Sequence, residues 1–287
     1  MTRATPPVNL AHSVHDRLLE LAQQRGRSFN ELLQYYAMER FLYRLSKSPS
    51  RSTFVLKGAL LLVACADLPY RPTRDIDLLG QGENSEARMR ELFQQVCSQP
   101  VPDDGLHFDP ASLTTERIKE DADYAGVRVH FYGQLGSARV AMQVDIGFGD
   151  AIPPGPRLIT YPTLLAFPAP QVRAYRLETA IAEKLHAMAY LGELNSRMKD
   201  FYDVWQLCRH AQLDREHLRT AIRATFERRK LPLPAVHPVF FSPSFAEAKQ
   251  VPWRAFLRKL HSSDAPADMA TVLHDLNAFL APLLQSP

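Results

Sequence analysis

The spacing of apolar residues changes period twice along the chain. Within the first fifty residues Leu32, Leu33, Tyr36, Phe41, Leu42 and Leu45 recur at helical spacing behind "SFNE" (28–31), which has the form of a capping box. Helices are predicted there. "TFVLK" (53–57) is β-branched and aromatic and predicts a short strand. "GALLLVACA" from Gly58 predicts a buried helix, and "DIDLLG" from Asp75 the next strand. "SEARMRELFQQVCSQ" (85–99) is amphipathic, with Met89, Leu92, Phe93 and Val96 on one helical face. From Leu106 the period falls to two. "LHFD", "ASLTTERIK", "GVRVHFYG" and "ARVAMQVDIGFG" predict a meander of antiparallel strands. Past "DAIPPGP" the helical period returns over 177–191, 196–210 and 214–229, with two further helices near the end. This order predicts an α+β fold, a strand-rich core over about 53–160 between helical flanks.

Composition narrows the picture only a little. Thirty-four basic residues against 31 acidic ones leave a net charge of +3, which permits a nucleic-acid partner without arguing for one. Cys65, Cys97 and Cys208 are far apart and fit no metal-ligand spacing, so reduced thiols in a cytoplasmic protein are expected. The longest apolar run, "GALLLVACADL", is about half a bilayer span, so no membrane helix is expected. The start lacks a secretory signal pattern. The 22 prolines gather at "IPPGP", "FPAP" and "LPLPAVHPVFFSPS" and mark loops.

The candidate chemistry begins at "RPTRDIDLLG" (71–80). Strand alternation points Asp75 and Asp77 the same way, with Ile76 opposite. Two carboxylates roughly 6–7 Å apart repel by roughly 2.5–3 kcal/mol at an effective dielectric near 20. Water, cations or a shared proton must answer that repulsion. A solvated strand end satisfies it as well as a metal does. In "AMQVDIGFGD", Asp145 lies among apolar residues near the end of the strand that closes the meander, and Asp150 five residues on sits in a turn context. Asp75, Asp77 and Asp145 together would form an oxygen cage suited to Mg²⁺, an ion that takes few carboxylates plus substrate phosphates. Upstream, Lys57-Gly58-Ala59 forms a small-residue turn that opens a helix, where phosphate oxygens can approach backbone N–H groups.

"LKGALLL…RPTRDIDL" resembles the first motif of the polymerase-beta-like nucleotidyltransferases, a Gly-Ser turn followed by an Asp-x-Asp pair. More closely, the chain resembles the AbiEii/AbiGii toxin family through "DYAGVRVHFYGQL", "MQVDIGFGD", "AIAEKLHAM", "NSRMKDFYDVWQL" and "PSFAEAKQVPWRAFLRKL". The resemblance runs from about Val14 to Pro282. It implies a nucleotidyltransferase core with a mixed sheet over residues 1–165 and a mainly helical domain over 166–287 that closes the active-site cleft. It further implies transfer of a nucleoside monophosphate from an NTP, with Mg²⁺ or Mn²⁺ held by Asp75, Asp77 and Asp145. Lys57, Gly58, Ala59, Arg71, Thr73 and Lys184 would bind the nucleotide, and Lys184 and Asp200 would join the catalytic set. Bacterial toxicity or phage defence, an antitoxin from a neighbouring gene and a tRNA or other RNA acceptor belong to the same implication. One departure is the turn itself: Ala59 stands where the family has Gly or Ser, so no hydroxyl can reach a phosphate there.

Helix geometry bears on the C-terminal members of this set. Lys184 falls on the shoulder of an apolar stripe made by Ile181, Leu185 and Met188, where it must snorkel or meet anions. Glu183 faces away, and His186 is expected at the surface or behind the site. Phe201, Val204, Trp205 and Cys208 make the buried face of the next helix, with Asp200 and Asp203 together on a polar flank. Solvation of that flank beside Arg197 and Lys199 is the plain alternative to a catalytic role. The basic run "RHAQLDREHLRTAIRATFERRK" could meet RNA phosphates or simply face water. Two rivals to RNA modification are transfer to a protein hydroxyl and NTP binding without turnover.

Overall fold

A computed structural model describes residues 9–65, 72–119, 125–234, 238–260 and 264–284. Its backbone divides into two compact units. The first comprises 1–64, 72–149 and 157–174, and the second 65–71, 150–156 and 175–287.

The first unit is built on a mixed sheet. Helices α1 (Leu10–Arg25) and α2 (Phe29–Lys47) lead into β1 (Phe54–Lys57), α3 (Gly58–Cys65), β2 (Asp75–Gly80) and α4 (Glu86–Cys97). Strands β3 (Leu106–Lys119), β4 (Ala125–Leu135), β5 (Ala138–Phe148), β6 (Arg157–Thr160) and β7 (Gln171–Ala174) complete it. The seven strands lie in the order β3-β4-β5-β2-β1-β7-β6. β2 runs parallel to β5 and β1 parallel to β7, and the other pairs are antiparallel. The predicted meander is β3-β4-β5. "LHFD" and "ASLTTERIK" are one strand, whose pairing slips between Asp109 and Thr114. Pro110 lies in that interval and has no N–H to give the ladder.

Alternation sorts the two faces of this sheet. Ile76, Leu78, Val127, Val129, Phe131, Val144 and Ile146 are buried on one face. Phe41 of α2 and Phe93 of α4 meet Phe131 with ring centroids 5.0 and 6.4 Å apart. Ser28 caps α2 as its sequence predicts, accepting from the Glu31 N–H at 3.2 Å. α2 is buried on nearly every side from Leu32 onward, beyond what one apolar stripe requires. Its polar residues are consumed by anchoring. Arg44 forks onto Asp104 at 2.8 and 3.0 Å. Glu39 accepts from the Leu164 N–H at 2.7 Å, and Arg40 donates to the Pro168 carbonyl at 3.0 Å.

The second unit is helical: α5 (Leu177–Leu191), α6 (Met198–His210), α7 (Arg215–Arg228), α8 (Pro243–Leu260) and α9 (Met269–Leu284). Asp214 caps α7, accepting from the N–H groups of Glu216 and His217. Trp253 is fully buried, and its indole N–H reaches the Pro266 carbonyl at 2.9 Å. Trp205 ties α6 to α9 through Asp275, also at 2.9 Å. Among the described residues no helix is long and apolar enough to cross a membrane.

Candidate active site

Strand register places the candidate carboxylates of the first unit on one face of the sheet. Lys57 pairs across from Asp77, Asp77 from Asp145, Asp145 from Arg128, and Arg128 from Glu116. Directly paired residues share a face, so five strands present a single row of charge. Asp75 lies in the next row on that face, opposite Gln143, which in turn faces His130. Along the row only Asp77 and Asp145 are neighbours of the same sign.

The turn after β1 is shaped around this pair. Gly58 has φ +68, and a Cβ built there would lie 1.9 Å from Asp77 Oδ2 and 2.7 Å from Asp77 Cβ. Glycine is required twice over, by the left-handed backbone and by the approach to Asp77. Lys57 and Ala59 are both buried, at 4% exposure each. Thr73 is held by its backbone N–H, which donates to the Tyr35 hydroxyl at 3.0 Å. Gln34 of α2 donates to the carbonyls of Arg74 and Ala141, tying the starts of β2 and β5 together. Arg71 lies outside the described residues.

Asp145 is held by a group that sequence reasoning did not single out. Arg128 forks onto it, Nε to Oδ1 at 2.7 Å and a terminal nitrogen to Oδ2 at 2.8 Å. Gln143 adds contacts of 3.3 Å to both oxygens. These bonds to Asp145, opposed by burial and aided by the charges of Asp145, Glu116 and Asp75, hold the guanidinium more firmly protonated than usual. The alternation of "GVRVHFYG" is the signal that sets Arg128 and His130 on the face opposite Val127, Val129 and Phe131. Their partner became visible only with the register between β4 and β5. Hard carboxylate oxygens on one face fit a divalent cation in kind. Among the described residues, however, no three carboxylate, His or Cys side chains stand gathered as a metal cage, and Asp145 is engaged by Arg128.

The second unit holds the remaining candidates. Lys184 of α5 reaches Asp200 at 2.7 Å and Asp203 at 2.9 Å, both on α6. Neither aspartate lies on a solvated flank: Asp200 is 1% exposed and Asp203 3%. The snorkelling alternative for Lys184 gives way to a lysine answered by two buried carboxylates. Arg197 also reaches Asp200, at 2.8 Å. Burial opposes ionisation of Asp200, but Lys184 and Arg197 outweigh it and hold its carboxyl below the usual range. His186 is buried rather than at the surface, edge-on to Phe226 with centroids 5.2 Å apart. Glu183 accepts from the Tyr175 hydroxyl at 3.0 Å. Asp150 belongs to the same cluster and pairs with Arg229 at 2.9 Å.

The first unit thus carries a charged row with two adjacent aspartates beside a left-handed glycine turn. Residues 40–281 match the family described as the nucleotidyl transferase AbiEii toxin of type IV toxin–antitoxin systems, and the chain belongs to that family. The matched span begins within α2, so α1 lies before it. No curated protein matches the chain. Two solved structures are similar to it. One, described as a candidate nucleotidyltransferase from H. pylori, is 18% identical with a TM-score of 0.49, covering 90% of this chain and 95% of that one. The other, JHP933 from Helicobacter pylori, is 16% identical with a TM-score of 0.46, covering 96% and 91%.

Proposed function

We propose that this protein transfers a nucleoside monophosphate from an NTP to a hydroxyl of an RNA acceptor, most simply a tRNA, and releases pyrophosphate. The acceptor oxygen attacks the α-phosphorus. The bond from that phosphorus to the α,β-bridging oxygen breaks, and pyrophosphate leaves with the electron pair. Asp145 receives the hydroxyl proton. Asp75 and Asp77, with Asp145, would hold Mg²⁺ or Mn²⁺, an ion that offsets phosphate charge during such a displacement. The Gly58–Ala59 turn offers backbone N–H groups to phosphate oxygens, with Lys57 and Thr73 beside it in sequence. In the second unit, Asp200 and Asp203 hold the Lys184 ammonium in place for an anionic group of the substrate.

The observation that carries this reading is the row Lys57–Asp77–Asp145–Arg128–Glu116, with its one same-sign junction beside Gly58. Membership of a nucleotidyl transferase family supports the reaction class. Exposed Arg215, Arg223 and Arg228 on α7 support an RNA acceptor, whereas Arg229 of the same basic run is committed to Asp150. A role in growth arrest or phage defence, restrained by an antitoxin, follows from the same family. Incubating the protein with each α-labelled NTP and either total tRNA or total cell protein tests the acceptor. Label is expected in the tRNA fraction. Label confined to protein would replace the RNA acceptor with a protein hydroxyl.

A further inference from the structure

Arg128 stands between two carboxylates in the charged row, one on each neighbouring strand. It is forked onto Asp145, which is 16% exposed, while its other terminal nitrogen is 3.9 Å from Glu116, which is 57% exposed. The Asp145 pair is short and bidentate, and the Glu116 contact is long and wet. A bidentate guanidinium occupies both oxygens of a carboxylate, so Asp145 cannot accept that fork and ligate an ion through both oxygens at once. The row, taken with Asp75 beside it, brings four carboxylates, Asp75, Asp77, Asp145 and Glu116, near Lys57 and Arg128, and Arg139 and Asp109 lie further along the same face. At the central pair, Arg128 is bonded to Asp145, and Lys57 is the cross-strand neighbour of Asp77.

We propose that Arg128 is a positioning residue with two seats: on Asp145 while the site lacks its metal, and on Glu116 once Asp145 turns to the ion. The inference rests on the reading of Asp75, Asp77 and Asp145 as cation ligands. No bond is made or broken beyond hydrogen bonds and coordination. A guanidinium is suited to the exchange because it stays charged in either seat and is less strongly hydrated than an ammonium. In either seat the guanidinium stays paired with a carboxylate of the row, on the strand to one side or to the other. His130, 3.5 Å from Glu116, is the further titratable group at the second seat.

The two seats make opposite predictions for metal affinity. Mn²⁺ binding to the full-length protein, read from the EPR signal of free Mn²⁺ with and without an α,β-methylene NTP, separates them. Arg128→Met removes the competitor and is expected to tighten Mn²⁺ by about tenfold. Glu116→Gln removes the second seat and is expected to weaken it several-fold. In the Arg128→Met background Glu116→Gln should then have little effect, whereas simple loss of a nearby negative charge would persist there. Arg128→Lys, which keeps the charge and loses the fork, guards against a folding defect and should fall between wild type and Arg128→Met. Unchanged or weaker Mn²⁺ binding in both Arg128 variants would overturn the exchange. If Asp75→Asn and Asp77→Asn abolish Mn²⁺ binding in that case, the metal reading stands alone. If those two variants bind as wild type does, both ideas fall.

Discussion

At Gly58 a methyl group would meet Asp77 at 1.9 Å on a backbone already at φ +68, so Gly58→Ala must move either the turn or the carboxylate. The expected outcome is a stability loss of roughly 1–3 kcal/mol. On the proposed role of Asp77 in catalysis, displacing it by even an ångström is expected to cost about 10²-fold in kcat/KM as well. Thermal melts beside turnover check both. Wild-type turnover in Gly58→Ala would mean the turn takes no part in chemistry. Lys184 needs a different substitution. Lys184→Ala would leave Asp200 and Asp203 buried without their cation, a loss of about 3–5 kcal/mol whatever the lysine does for substrate. Lys184→Arg keeps the charge and alters its shape. A protein that melts near wild type yet binds NTP about tenfold more weakly is expected, measured by calorimetry. Undiminished NTP affinity would make Lys184 an anchor for α6 alone. At this scale the shared face of Asp75 and Asp77 was legible because alternation is local, whereas Asp145 comes beside Asp77 only through the register of β2 with β5. The burial of Asp200 and Asp203 was not, because α6 reads as amphipathic while α5, α8 and α9 all pack against it.

Helices with local signals were the most legible elements. The capping box of α2, the stripe of α4 and the spacing of α5 to α7 need no distant partner to be recognised. β6 and β7 escaped notice for the opposite reason. "RLIT" and "QVRA" are four residues each, too short to declare a period, and exist because β7 pairs with β1 and because Glu39 and Arg40 fasten the segment between them. The α5–α6 pair also carries a pH signature. In the folded state the Asp200 carboxyl titrates below the ordinary aspartate range, so its ion pairs contribute full stability above that range and lose it as pH falls through the depressed pKa. Asp200→Asn should therefore be less stable than wild type at pH 7, and the gap should close below about pH 4. Urea unfolding at both pH values measures it. A gap that stays constant with pH would show that the carboxylate's charge is not what holds α5 to α6.

For the whole molecule, the family and the reaction class are those of a nucleotidyl transferase toxin, and both were legible from motifs spread along the chain. Arg128 shows where that legibility ends. A sequence motif names residues that recur together, whereas the fork onto Asp145 depends on two strands meeting in one particular register. The charged row is a property of five strands assembled in the order β3-β4-β5-β2-β1, and no segment of the chain contains it. The central claim is that this row is the seat of nucleotidyl transfer. It is tested most directly by pyrophosphate release from the four NTPs in the presence of Mg²⁺ and total tRNA, comparing wild type with Asp77→Asn. Asp77→Asn relieves the same-sign junction and should fold at least as well as wild type, so its melting temperature controls for structure. The expected result is release by wild type with at least one NTP and a fall of roughly 10²–10³-fold in the variant. Equal release by a well-folded Asp77→Asn protein would contradict the assignment of the active site to this row.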